Sequence, residues 1–211
     1  MSALAERAAD TITAERLIAI VRAGSADEAV LAAEALLAAG VRVIEVSLVT
    51  PGALSALTRL SESAGEGRLI GAGTVRSRAD AVQATAAGAR FLVSPGLDPG
   101  VLGWSIANDV LHLPGALSPS EVGAALAGGA QLVKLFPAGR LGAGYVRDLL
   151  APFPEARLVP TGGVDGSNAR AFLDAGAVAV AVGAALVNPV TVADPEALGS
   201  AVRQLQSITR L

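Results

Sequence analysis

One local pattern occurs four times in this chain, and that repetition limits the fold more than any other feature. LLAAGVRVIEV (36–46), ATAAGARFLVS (84–94), ALAGGAQLVKL (125–135) and FLDAGAVAVAV (172–182) each read as a helix end, a glycine and a short apolar strand. Aligned on Gly40, Gly88, Gly129 and Gly176, they stand 48, 41 and 47 residues apart. Between them lie four further strand-like runs, at 16–22, 68–74, 109–115 and 156–162. Apolar strands that alternate with helical stretches at this spacing read as successive βα units.

The helical stretches carry their own punctuation. Ser25-x-x-Glu28 and Ser118-x-x-Glu121 are capping-box patterns, and Pro119 takes the first-turn position where a missing N–H does no harm. The four aligned glycines sit where a helix wants a left-handed residue to end it. No Pro/Gly/Ser-rich linker divides the chain, so the expectation is one domain over residues 1–211. That domain is an α/β fold, a (β/α)8 TIM barrel, with an extra helix over Ala3–Thr13 ahead of the first strand. A doubly wound open sheet shares the same period and stands as the alternative, because periodicity does not show closure.

Composition narrows the function. The chain has 211 residues, 52% hydrophobic, with a mean hydropathy of +0.55, which raises the question of a membrane span. The longest run without a polar side chain is Ala175–Val187, too short to cross a bilayer. The N-terminus lacks a basic start followed by an apolar run, so a cytoplasmic protein is expected. No cysteine means no thiol nucleophile or thiolate metal site, and a single histidine, His112, excludes a multi-histidine site within one chain. Dispersed charge with a net of -3 offers no basic patch for nucleic acid. His112, inside a strand, reads as a satisfied core residue, and Trp104 and Tyr145 read as helix packing.

One lysine stands against 15 arginines, and its position carries the functional argument. Five residues after the aligned glycines come Glu45, Val93, Lys134 and Ala181, on the second, fourth, sixth and eighth strands. Alternate strands of a barrel share an interior layer, and catalytic groups come from the C-terminal strand ends. Glu45 and Lys134 are therefore expected to face each other across the mouth. A buried ion pair made only for stability gains little over apolar packing, which favours a functional pair. Burial favours the neutral amine, which is the form that attacks a carbonyl, so Schiff-base chemistry is the expectation. Gly71-Ala72-Gly73-Thr74 ends the third strand with a hydroxyl where a carboxylate could dock; a tight turn with a capping threonine explains it equally well. Thr161-Gly162-Gly163 and Val182-Gly183-Ala184 end the seventh and eighth strands, where barrels often bind phosphate through backbone N–H groups. Arg22, ending the first strand, is the guanidinium placed to reach the mouth, and Phe136 and Pro137 are expected to wall the pocket.

In order along the chain stand GVRVIEVSL (40–48), GAGTV (71–75), SPG (94–96), PG with SPSE (114–115, 118–121), LVKLFPA (132–138) and PTGGV (160–164). Over about residues 15 to 190 the sequence resembles the 2-keto-3-deoxy-6-phosphogluconate / 4-hydroxy-2-oxoglutarate aldolase family. That resemblance implies a class I aldolase on a (β/α)8 barrel, without metal or cofactor, acting on a small 2-keto acid and usually assembled as a homotrimer. It implies Lys134 as the Schiff-base lysine and Glu45 as the acid/base. Thr74 would hold the pyruvate carboxylate, Pro95 and Phe136 would contact substrate, and Gly162, Gly163, Gly183 and Ala184 would line the phosphate pocket. Two positions depart from the family pattern. Val49 stands where many members have an arginine that contacts the carboxylate, and Arg22 matches relatives that place the charge on the first strand instead. Ala184 stands where relatives often have a serine that hydrogen-bonds phosphate. An aldolase for the galactonate epimer or an unphosphorylated acid, a phosphate-binding biosynthetic barrel resembling thiamine-phosphate synthase, and a non-catalytic barrel are the alternatives.

Overall fold

A computed structural model describes residues 3–63, 65, 67–188, 191 and 194–209. The chain opens with α1 (Ala3–Glu15), then alternates β1 (Leu17–Val21), α2 (Ala26–Ala38), β2 (Val43–Ser47), α3 (Ala53–Ser63), β3 (Leu69–Gly73), α4 (Arg78–Ala86), β4 (Phe91–Val93) and α5 (Pro99–Ala107). It continues through β5 (Leu111–Leu113), β6 (Gly115–Ala116), α6 (Pro119–Ala127), β7 (Val133–Leu135), α7 (Gly142–Leu150), β8 (Leu158–Pro160), α8 (Ala169–Asp174), β9 (Val180–Val182) and α9 (Pro195–Thr209).

The parallel strands form two arcs, β5-β4-β3-β2-β1-β9 and β6-β7-β8. Two features join them into the expected barrel. Pro114 interrupts the fifth barrel strand, splitting it into β5 and β6, yet its carbonyl accepts from the Lys134 N–H at 2.9 Å, so the ladder continues. On the other side Thr161 pairs in parallel with Ala181, which links β8 to β9. The open-sheet alternative therefore falls.

Inside the cylinder, residues two apart on each strand share a face. Ile18, Val43, Leu69, Phe91, Val93, Leu111, Leu113, Leu132, Val159, Ala179 and Ala181 pack into one apolar cluster with Ala5, Ala8, Ala9 and Ile12 of α1. The expected extra helix is thus a plug beneath the N-terminal end of the barrel. The opposite set of strand residues, including Ala19, Ile44, Leu92 and Val133, meets the outer helices in a second core. Among the described residues, no helix is long and apolar enough to cross a membrane.

The local signals act as their chemistry demands. Gly40, Gly88, Gly129 and Gly176 all have φ between 90° and 106°, closing α2, α4, α6 and α8. Ser118 and Glu121 form a complete capping box on α6. At α2 the Ser25 hydroxyl accepts from the Glu28 N–H, but the Glu28 carboxylate accepts instead from the Gly24 N–H at 2.8 Å. Trp104 and Tyr145 pack against the outer core as expected, and the Tyr145 hydroxyl donates to the Leu117 carbonyl at 2.7 Å.

Candidate active site

The C-terminal ends of the strands surround a cavity of about 490 Å³. Arg22, Glu45, Thr74, Pro95, Lys134, Phe136, Gly162, Gly163, Gly183 and Ala184 all lie around it, whereas Pro137, expected beside Phe136 as a wall, does not line it. A larger space of about 690 Å³ lies at the opposite end, beside α1 and the starts of β3 and β4. It contains neither the lysine nor the buried carboxylate, so size does not identify the site here.

Glu45 and Lys134 sit on β2 and β7, 2% and 6% exposed, both opening on this cavity. Among the described residues no ion pair within 4.0 Å joins them, so the amine is not locked against its carboxylate. The Lys134 Nζ instead lies 4.9 Å from the centre of the Phe136 ring, within cation–π range. One Glu45 oxygen, Oε2, is buried without a hydrogen-bond partner. Burial pushes the Glu45 carboxyl above its ordinary range, and the positive charge of Lys134 only partly offsets this. The site thus holds a carboxyl that gains from any further positive charge or donor delivered to it.

Glycine makes the space for these groups. A Cβ at Gly73 would overlap the Glu45 carboxylate and come 2.7 Å from Glu45 Cγ. A Cβ at Gly71 would collide with the Phe91 ring. The GAG run therefore serves the neighbouring strands' side chains, a use that neither reading of the sequence anticipated. Gly162, at φ 82°, faces the Phe136 ring, and a Cβ there would stand 2.8 Å from Phe136 Cε2.

The remaining walls differ around the mouth. Thr74 follows β3 with φ 60°, and its Oγ1 lies 2.8 Å from Ser47 Oγ. Arg22 is exposed at the rim, and Val49, on the turn after β2, lines the same cavity. Those loops are stitched together: the Ala23 N–H donates to the buried Thr50 hydroxyl at 3.1 Å. At the other side the amides of Gly163, Ala184 and Ala185 donate no hydrogen bond within the described chain, leaving them free for an anion. Asp165 also borders this side, its carboxylate held below its ordinary range by hydrogen bonds from the Ser167 hydroxyl and amide.

Ile20, Ser47, Val164, Asp165 and Ala185 line the cavity without having been singled out in the sequence, and Thr161, named there only as part of a strand-end run, lines it too. Strand alternation was the available signal for Ser47, two residues beyond Glu45 on the same face. His112 stays outside the cavity. Its Nε2 is 2.7 Å from Ser94 Oγ, while Nδ1 is buried without a partner, so the core reading is only half satisfied. Burial lowers the His112 pKa to about 4, with the Asp98 charge opposing.

Known proteins share this sequence and fold. The family model "Aldolase: KDPG and KHG aldolase" matches residues 9–199. The 2-dehydro-3-deoxy-phosphogluconate aldolase of Treponema pallidum (strain Nichols) is 38% identical over 159 residues, covering 75% of each chain. The KHG/KDPG aldolase of Escherichia coli (strain K12) is 32% identical over 163 residues, 77% of this chain and 76% of the relative. Among solved structures, the KDPG aldolase of Legionella pneumophila, with pyruvate captured at low pH as a covalent carbinolamine intermediate, superposes with a TM-score of 0.85. It is 29% identical over 96% of this chain and 98% of that one. On the fold and these matches, the chain belongs to the KDPG and KHG aldolase family.

Proposed function

We propose that this protein is a class I aldolase, an aldehyde-lyase. In this reading it cleaves 2-keto-3-deoxy-6-phosphogluconate to pyruvate and glyceraldehyde 3-phosphate, and 4-hydroxy-2-oxoglutarate to pyruvate and glyoxylate. The observation that carries it is one buried lysine and one buried carboxylate opening on a single cavity without an ion pair between them.

Lys134, as the neutral amine, attacks the C2 ketone, and loss of water leaves a cationic iminium. That charge favours ionisation of Glu45, opposing the burial that raises its carboxyl above the ordinary range. The Glu45 carboxylate, directly or through one water, takes the proton of the C4 hydroxyl. The C3–C4 bond breaks, its electron pair moves into the iminium to give an enamine, and the aldehyde leaves. Protonation at C3 and hydrolysis of the iminium release pyruvate and restore the amine. Every step uses groups that this chain supplies, with neither metal nor cofactor.

Arg22 and Thr74 bind the pyruvate carboxylate, with Arg22 taking the place of the charge absent at Val49. Pro95 and Phe136 wall the reacting carbons. Gly162, Gly163, Gly183 and Ala184 border the phosphate end. The loss of a hydroxyl at Ala184 weakens phosphate binding by about 1 kcal/mol. This favours a second reading, in which a related 2-keto-3-deoxy acid, the galactonate epimer or an unphosphorylated form, is also cleaved. A homotrimer in the cytoplasm follows from the family resemblance. The test is pyruvate release from the phosphorylated and unphosphorylated acids, followed by a coupled dehydrogenase, with Lys134→Arg as control. Release that survives Lys134→Arg, or no release from any of these acids, overturns the proposal.

A further inference from the structure

Thr74 is a β-branched residue held at φ 60°, a strained conformation that persists only where its surroundings enforce it. Its neighbours hold the backbone: the Leu48 N–H donates to the Gly73 carbonyl at 2.8 Å, and the Val75 N–H to the Val93 carbonyl at 3.1 Å. The side chain itself has one protein partner among the described residues, the Ser47 hydroxyl at 2.8 Å. Ser47 is 3% exposed, ends the fully buried strand β2 on the same face as Glu45, and borders the cavity beside Thr74.

We propose that Ser47 is a positioning residue that aims the Thr74 hydroxyl at the substrate carboxylate, so that Ser47, Thr74 and the carboxylate form one directed chain of hydrogen bonds. The inference rests on the aldolase reading above and goes beyond it. A hydroxyl pair can run in either direction when the cavity is empty. Once a carboxylate enters, it offers only acceptors, so Thr74 must donate to it. The Thr74 oxygen then becomes the acceptor for the Ser47 proton, and each bond polarises the next. Ser47 thus selects ketoacids at the carboxylate end of the cavity without touching the reacting carbons. Its effect belongs to binding, whereas Glu45, two residues earlier on the same face, acts on bond cleavage.

The test is steady-state cleavage by Ser47→Ala, Ser47→Thr, Thr74→Ala and the Ser47→Ala/Thr74→Ala double variant, each checked for folding by circular dichroism. Ser47→Ala should raise KM by up to about tenfold, the effect of one hydrogen bond between neutral hydroxyls, while kcat holds. Ser47→Thr, which keeps the hydroxyl, should restore KM. The double variant should be no worse than Thr74→Ala alone, because Ser47 acts through Thr74. An unchanged KM in Ser47→Ala, a fall confined to kcat, or additive losses in the double variant would overturn the proposal. If Ser47→Ala does not fold, the threonine variant decides: a raised KM there refutes the relay. Wild-type cleavage in the same assay separates these outcomes from failure of the aldolase reading itself.

Discussion

Gly73→Ala isolates the position of the Glu45 carboxylate from every other variable in the site. Gly73 does not need a left-handed backbone, so alanine brings no conformational penalty. Its methyl group, however, would overlap the Glu45 carboxylate and lie 2.7 Å from Cγ. The strands are buried on both faces and hydrogen-bonded in register, Glu45 beside Gly71 and Ser47 beside Gly73, so the backbone has little room to retreat. The carboxylate must move by about 1 Å, and a misplacement of that size at a reacting centre costs roughly 10²-fold in rate. Overpacking also removes about 1–3 kcal/mol of stability, well short of unfolding most barrels of this size. The assay is kcat/KM for cleavage, with circular dichroism to confirm folding and pyruvate adduct formation to confirm that Lys134 still reacts. A folded Gly73→Ala enzyme with wild-type kcat/KM would show that the position of Glu45 does not matter to the chemistry.

Other perturbations report on single groups. Glu45 binds its proton more tightly in the native protein than in the unfolded chain, so its ionisation lowers stability as pH rises above the ordinary glutamate range. Glu45→Gln should therefore raise Tm at neutral pH while abolishing cleavage, with the Tm gain vanishing in acid; an unchanged Tm at neutral pH would contradict the burial argument. His112 behaves oppositely: the native state binds fewer protons between pH 6.5 and about 4, so stability falls as pH drops through that window. The full effect is about 3 kcal/mol, and urea titrations should find His112→Gln less acid-sensitive than wild type, whereas parallel pH profiles would refute this. Arg22→Ala should raise KM for the ketoacid severalfold and leave kcat nearly intact; a trivial change would assign the carboxylate to other groups.

The barrel was legible because helix-ending glycines and apolar strands recur along the chain, and the structure gives those glycines their left-handed backbone. The same alignment placed Glu45 and Lys134 in one layer, since alternation fixes which strand residues face inward. Other features were hidden because they depend on contacts between strands. Gly73 looked like part of a turn, and only the adjacent strand reveals that it clears space for Glu45. Ser47 carries no signal of its own in the sequence, because its partner Thr74 comes from the end of the neighbouring strand. Pro114 gave no hint that the fifth strand would continue past it through its carbonyl. The helix capping returned a similar lesson at Glu28, whose carboxylate reaches Gly24 rather than the serine it was expected to serve.

The most direct test of the central claim is to incubate the protein with pyruvate and borohydride, then digest it and map the modified peptide by mass spectrometry. A reduced pyruvyl adduct on Lys134, lost when borohydride is omitted, is the expected result. Full protection of Lys134 from modification under saturating pyruvate, in a preparation that still cleaves the ketoacid, would contradict the account.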